Sequence, residues 1–290
     1  GFAGGNRWDN GVIDIVIAEG RLGIADLFAI MATPEQFDVP TLERGGTLLS
    51  RIFDALAPED PLVRLLDARL GDAVNSVRPT PDDPVESNWD KALLLREIGR
   101  LRTLSPREIT AHRSATDVFG AVPDDAPRIE RVVSIDPART RWHATGLYGA
   151  PGEVVTITVP DGAREAGLQL RFGGHTDDIS VRDRWKRPPQ VHWAWPLDAE
   201  RVEGASPFGG ALYIDVGTDN RDLPAFEVTI SGAVEAPYFV LGETTDNAWL
   251  DGLRDAPAPY AELVTEHLTI SLPSTFIRNV NNPTEVMNFW

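Results

Sequence analysis

The chain contains no cysteine, which excludes a disulfide framework, a thiol nucleophile and a Cys-rich zinc site. Its five histidines, His112, His143, His175, His192 and His267, are far apart. The helical zinc pair H-E-x-x-H is therefore absent, although ligands drawn together from distant positions are not excluded by spacing alone. No serine stands in a G-x-S-x-G elbow and no G-x-x-x-x-G-K phosphate loop is present, so neither serine acyl transfer nor nucleotide hydrolysis has support. The stretch Val12 to Ala18 is interrupted by Asp14, well short of the roughly 20 apolar residues of a membrane span. Residues Gly1 to Asn10 lack the basic start and apolar run of a signal peptide. Positive charge is also scarce: the net charge of −17 repels phosphate backbones and anionic membranes. A soluble protein with neutral or basic partners is expected, with no nucleic acid and no membrane span.

The 290 residues divide by hydrophobic period. Before residue 128 apolar residues recur at three and four, as in Leu48, Leu49, Ile52, Phe53, Leu56 and in Leu62, Leu65, Leu66, Leu70, the helical pattern. Asn88 is read as the cap of a helix over Trp89–Leu101, and Ser105, Pro106 and Glu108 as the start of another. The arginines 96, 100, 102 and 107 alternate with Glu97 and Glu108 and read as a charged solvent face.

After the Pro- and Asp-rich segment 120–128 the period becomes two. Residues 153–159, 168–172, 190–195, 211–216, 226–230, 238–241 and 267–272 read as short strands. A short helix follows Thr245, and Asn282-Pro283 opens another. The expected fold is α+β and multidomain: a helical accessory domain over 1–128, then an antiparallel β-sandwich over 129–290.

Three clusters are candidate sites. His175, Asp177 and Asp178 follow Gly173-Gly174 and form either a calcium or substrate loop or a tight turn in which side chains bond their own backbone. Asp215, Asp219, Asn220 and Asp222 lack the EF-hand spacing and read as a hairpin end. Trp193 and Trp195 lie two apart on a strand with Trp185 nearby. Exposed, the three would stack on sugar rings; buried, they would fill the space between sheets.

From residue 130 onward a series of phrases is distinctive. It runs from Trp142-His143-Ala144-Thr145-Gly146-Leu147-Tyr148 through Gly174-His175-Thr176-Asp177 and Ser206-Pro207-Phe208-Gly209-Gly210. Ile230-Ser231-Gly232-Ala233-Val234-Glu235-Ala236-Pro237 and Pro257-Ala258-Pro259-Tyr260-Ala261-Glu262-Leu263 continue it. In this order they resemble the region preceding the catalytic helices of the enhancin-like, mucin-targeting zinc metallopeptidases, a family that certain channel-associated factors of animals also resemble. The resemblance implies a non-catalytic front portion of an exported bacterial enzyme, secreted, periplasmic or at the cell surface. Its partners would be a downstream catalytic domain and a glycoprotein or glycan substrate. On this reading Trp290 is a cut or trimmed end within the first helix of the catalytic part. Zinc is expected in the complete protein and no cofactor in this chain, because no position here matches a catalytic or metal-binding residue of the family. A glycan-binding module and a catalytically inactive interaction protein are the alternatives.

Overall fold

The computed structural model describes residues 22–290, and the Val12–Ala18 stretch lies outside them. The chain forms two compact units that do not divide at residue 128. The first comprises the described residues up to Thr103 together with Asp178–Gln190; the second comprises Leu104–Asp177 and Val191–Trp290. A segment from the strand-rich half thus completes the helical unit, a long-range exchange that no local pattern announces.

In the first unit the helices are Ile24–Ala32, Val39–Ala55, Pro61–Leu70 and Asn88–Leu101. Each of the last three starts at a side-chain cap: Asp38 accepts from the Thr41 N–H at 2.9 Å, Asp60 from Leu62 at 2.9 Å and Ser87 from Asp90 at 3.1 Å. Ser87, not Asn88, is therefore the cap, and Asn88 is the first helical residue, its N–H donating to the Glu43 carboxylate at 3.0 Å and its side-chain amide to Thr47 at 3.2 Å. Leu48, Leu49, Ile52, Leu66 and Leu94 are buried in this unit. Arg96 does not stand in solvent but pairs with Asp67 and covers the Phe53 ring at 4.7 Å. No helix forms at Ser105; the Ser105–Glu108 capping contact closes a single turn.

The second unit carries the short helix Ala115–Phe119 and then the strands β1 (Arg128–Ile135), β2 (Trp142–Gly149), β3 (Val155–Thr158), β4 (Gln169–Phe172), β5 (Trp193–Pro196), β6 (Arg201–Gly204), β7 (Gly210–Asp215) and β8 (Phe226–Glu235). These make one hydrogen-bonded sheet in the order β5-β4-β7-β2-β8-β3-β6, with β1 also on β8. The mixed α+β class holds, but the strands do not separate into the two sheets of a sandwich. The long strand β8 is the reason: β1 pairs along it from Phe226 to Val234, while β3 pairs with its Thr229–Ser231 part and β2 with Val234 and Glu235. Gly232 lies between those parts at φ 84°, and a Cβ there would come 2.9 Å from the Val154 carbonyl oxygen. Gly232→Ala is accordingly expected to cost about 1–3 kcal/mol, read as a lower Tm; an unchanged Tm would show that the strand can bend without it. At the far ends of the order, the Trp195 indole N–H donates to the Ala205 carbonyl at 2.8 Å just past β6, so the sheet curls nearly into a barrel.

A second sheet, β11-β10-β9, comprises β9 (Tyr238–Val240), β10 (Tyr260–Val264) and β11 (Thr269–Pro273). The β9–β10 pair is parallel, which an antiparallel reading did not anticipate. It packs with the helices Asp246–Leu250, Ser274–Ile277 and Pro283–Asn288 around Phe239, Trp249, Leu263, Ile277 and Met287. The Trp249 indole donates to Val280 at 2.8 Å. The helices expected after Thr245 and at Pro283 are both present, with Thr245 and Asn282 as caps.

Candidate functional site

The strand Tyr260-Ala261-Glu262-Leu263-Val264 carries one acid among apolar neighbours, and Glu262 is fully buried. Its Oε1 accepts a 2.5 Å hydrogen bond from the Tyr213 hydroxyl of β7, while Oε2 has no hydrogen-bond partner. Burial pushes the Glu262 carboxyl up to about 7, only partly offset by the Tyr213 hydrogen bond. Its cross-strand neighbours are Ser271 on β11 and Tyr238 on β9. Ser271, Tyr238 and Tyr213 line an open cleft of about 770 Å3. The buried carboxylate therefore stands directly behind the cleft floor, and a strongly perturbed acid beside a cleft marks a functional-site candidate.

The cleft walls come from the end of β1, the start of β2 and the β10–β11 hairpin. Trp142 is fixed by its indole N–H donating to Asp215 at 3.0 Å and by the Arg171 guanidinium 4.0 Å over its ring. His143 donates from Nε2 to the Arg139 carbonyl at 2.8 Å, and burial holds its pKa below the ordinary imidazole value. Tyr238 donates to the Ala144 carbonyl at 3.2 Å.

The residues singled out in the sequence lie elsewhere. Trp185 belongs to the first unit, is 1% exposed, and donates its indole N–H to Arg182. Trp193 is 3% exposed, with its ring 6.4 Å from Phe208. Trp195 is half-buried against Gly204, where an added Cβ would come 2.7 Å from its ring. The three thus make no exposed row; burial, the other outcome weighed for them, is what the packing produces. His175 and Asp177 line a smaller cleft of about 290 Å3 with Phe119 and Tyr260, and the His175 ring stands edge-on to Phe119 at 5.3 Å. Arg171 donates to the carbonyls of Gly173 and His175 and so ties the loop to β4. Asp178 lies in the first unit, accepting from Ser180 N–H at 2.8 Å and Gln190 at 2.6 Å. Asp215 and Asn220 likewise tie down their own loop.

Neither Tyr213 nor Glu262 stands in a sequence pattern that marks a site. Their one sequence signal is an acid flanked by Ala261 and Leu263 in a strand-forming stretch, since an unpaired charge is costly there.

Comparison with known proteins bears on the same region. The model for the N-terminal domain of M60-like peptidases matches residues 124–231, and that for peptidase M60, enhancin and enhancin-like, matches 232–290. The chain belongs to the M60, enhancin-like peptidase family. The two matches meet inside β8, so the M60 N-terminal domain and the start of the peptidase region share a strand. A TRPM8 channel-associated factor homolog from Danio rerio is 34% identical over 203 residues, covering 64% of this chain and 22% of that protein. TRPM8 channel-associated factor 1 from Homo sapiens is 33% identical, covering 58% and 18%. The chain thus spans about a fifth of the length of these relatives. IMPa metallopeptidase from Pseudomonas aeruginosa aligns over 97% of this chain and 31% of its own, with a TM-score of 0.51 at 16% identity. IMPa metallopeptidase in complex with T-antigen aligns over 96% and 30%, with a TM-score of 0.53 at 18% identity. These two show likeness of fold.

The zinc that the M60 family implies finds no home among the described residues, where no group of three or more His, Asp or Glu side chains is placed to hold a metal ion. The residues present do not fit a peptidase zinc centre. Among them, too, no helix is long and apolar enough to cross a membrane.

Proposed function

We propose that this chain is the non-catalytic front portion of an enhancin-like zinc metallopeptidase acting on glycoproteins such as mucins, and that it scaffolds or positions substrate for a catalytic domain downstream. The observation that carries the reading is the unbroken M60 match over residues 124–290 in a sequence without H-E-x-x-H. Its bacterial origin and export to the periplasm, cell surface or medium belong to the same proposal. Incubated with an O-glycosylated glycoprotein and zinc, the purified chain is expected to leave the substrate intact on a gel. Chelator-sensitive cleavage by this chain alone would overturn the non-catalytic assignment.

The animal channel-associated factors favour a second reading, an interaction protein without catalysis. The gene separates the two. A zinc motif within the following reading frame supports the peptidase, and a frame without one supports the interaction protein.

A further inference from the structure

Among the charged groups on the rim of the cleft in front of Glu262, those without an ion-pair partner are of both signs in equal number. Arg139 and Arg141 border it with Glu243 and Glu266, and none of these four has an ion-pair partner among the described residues. The remaining arginine, Arg131, is paired with Glu235. In a chain of net charge −17 a locally balanced cleft is a departure from the general surface. It offers no net attraction for a polyanion or a polycation, and its floor is too polar for an apolar ligand. Carboxylates accept from hydroxyls and guanidinium groups donate to them, so such a rim suits a ligand whose groups do both.

Arg141 supplies an independent sign of use. It is the one non-glycine residue with positive φ, 72°, among the described residues. Its backbone is locked there by Arg141 N–H to the Gly217 carbonyl at 2.7 Å and Val216 N–H to the Arg141 carbonyl at 2.9 Å. Glycine or asparagine would occupy this region with little strain; a long cation in it accords with the clustering of such strain at functional sites. The cleft volume of about 770 Å3 falls within the roughly 300–1,000 Å3 of small-ligand clefts.

We propose that this cleft is a binding site for a neutral saccharide, with Trp142 and Tyr238 as its ring-bearing walls, Arg141 and Glu266 as its hydrogen-bonding rim, and Tyr213, held from behind by the buried Glu262, in its polar floor. This deepens the substrate-positioning reading, on which it rests only for the choice of mucin-type sugars. The test is saturation-transfer NMR and calorimetry on the full chain with desialylated mucin-type oligosaccharides, their sialylated counterparts and the unglycosylated peptide. The neutral oligosaccharides are expected to bind. Arg141→Gly, which removes the guanidinium while relieving the backbone, and Glu266→Ala should each weaken binding about tenfold or more without lowering Tm. The proposal fails if the neutral sugars do not bind, if only sialylated sugars or the bare peptide bind, or if both variants bind as the parent does. Sugar binding by a protein whose gene encodes no zinc motif would keep this site and remove the peptidase reading. A zinc motif with no sugar binding would do the reverse.

Discussion

Between pH 4 and pH 8 the protein is expected to lose about 3 kcal/mol of stability relative to its Glu262→Gln variant. The cause is the buried Glu262 carboxyl, raised by desolvation from 4.5 to about 7 in the folded state. The folded chain binds that proton more tightly than the unfolded chain. The associated stability is therefore fully present below about pH 4.5 and is lost as pH rises through about 7. Above that, both states are ionised and the cost of a buried carboxylate with an unpartnered Oε2 remains constant. Denaturant titrations of both proteins at several pH values measure the difference. Parallel pH profiles for parent and variant would show that water or rearrangement solvates this carboxylate. Comparing slopes also removes any fixed penalty from the glutamine amide, which titrates nowhere in the range. Tyr213 stays protonated throughout, since burial and the neighbouring carboxylate both raise its pKa.

Gly46→Ala is expected to destabilise the first unit by on the order of 3 kcal/mol, through backbone rather than side-chain crowding. Gly46 lies on the buried face of the helix Val39–Ala55. A Cβ there would come 2.2 Å from the Asn88 carbonyl carbon and 2.3 Å from the Trp89 nitrogen, at the start of the helix Asn88–Leu101. Flexible side chains can swing aside, but this backbone is pinned. Glu43 accepts from the Asn88 N–H, Thr47 from its side-chain amide at 3.2 Å, and Ser87 caps the same turn. The substitution must force the helices apart and break those contacts. Thermal denaturation followed by circular dichroism reads the effect, and a variant with the parent Tm would mean that the two helices are not held this close. Gly99→Ala, on the second of these helices with no atom near its would-be Cβ, is the matched control expected to be neutral or slightly stabilising.

Local chemistry was legible wherever a residue acts on its own neighbourhood. The change from helical to alternating period near residue 128, the stripes over Leu48–Leu56 and Leu62–Leu70, and the caps at Thr245 and Asn282 all correspond to elements in the fold. Where several local partners compete, the reading slipped. Asn88 lost the cap to Ser87, whose hydroxyl accepts from the Asp90 N–H while the Asn88 side chain is engaged with the distant Thr47, and Ser105 closed a turn with no helix following it. Broken alternation hides a strand from its period: β2, with its run of buried residues, is signalled only by the resemblance of Trp142–Tyr148 to a family phrase, and β10, with its buried acid, by no alternation.

Composition and motif order by themselves determined the class of the chain, its M60 kinship and the lack of H-E-x-x-H, because these depend on residue identity and on neighbours along the chain. Only the tertiary structure decided that Asp178–Gln190 joins the helical unit, that β8 fuses the strands into one curled sheet, and that the three tryptophans lack an exposed row. It alone brought Tyr213 to Glu262, 49 positions apart, behind one cleft. The physical reason is the same in each case. Burial and hydrogen-bond partnership are set by which distant surfaces meet, and a residue's ionisation and exposure follow from that meeting rather than from its place in the sequence.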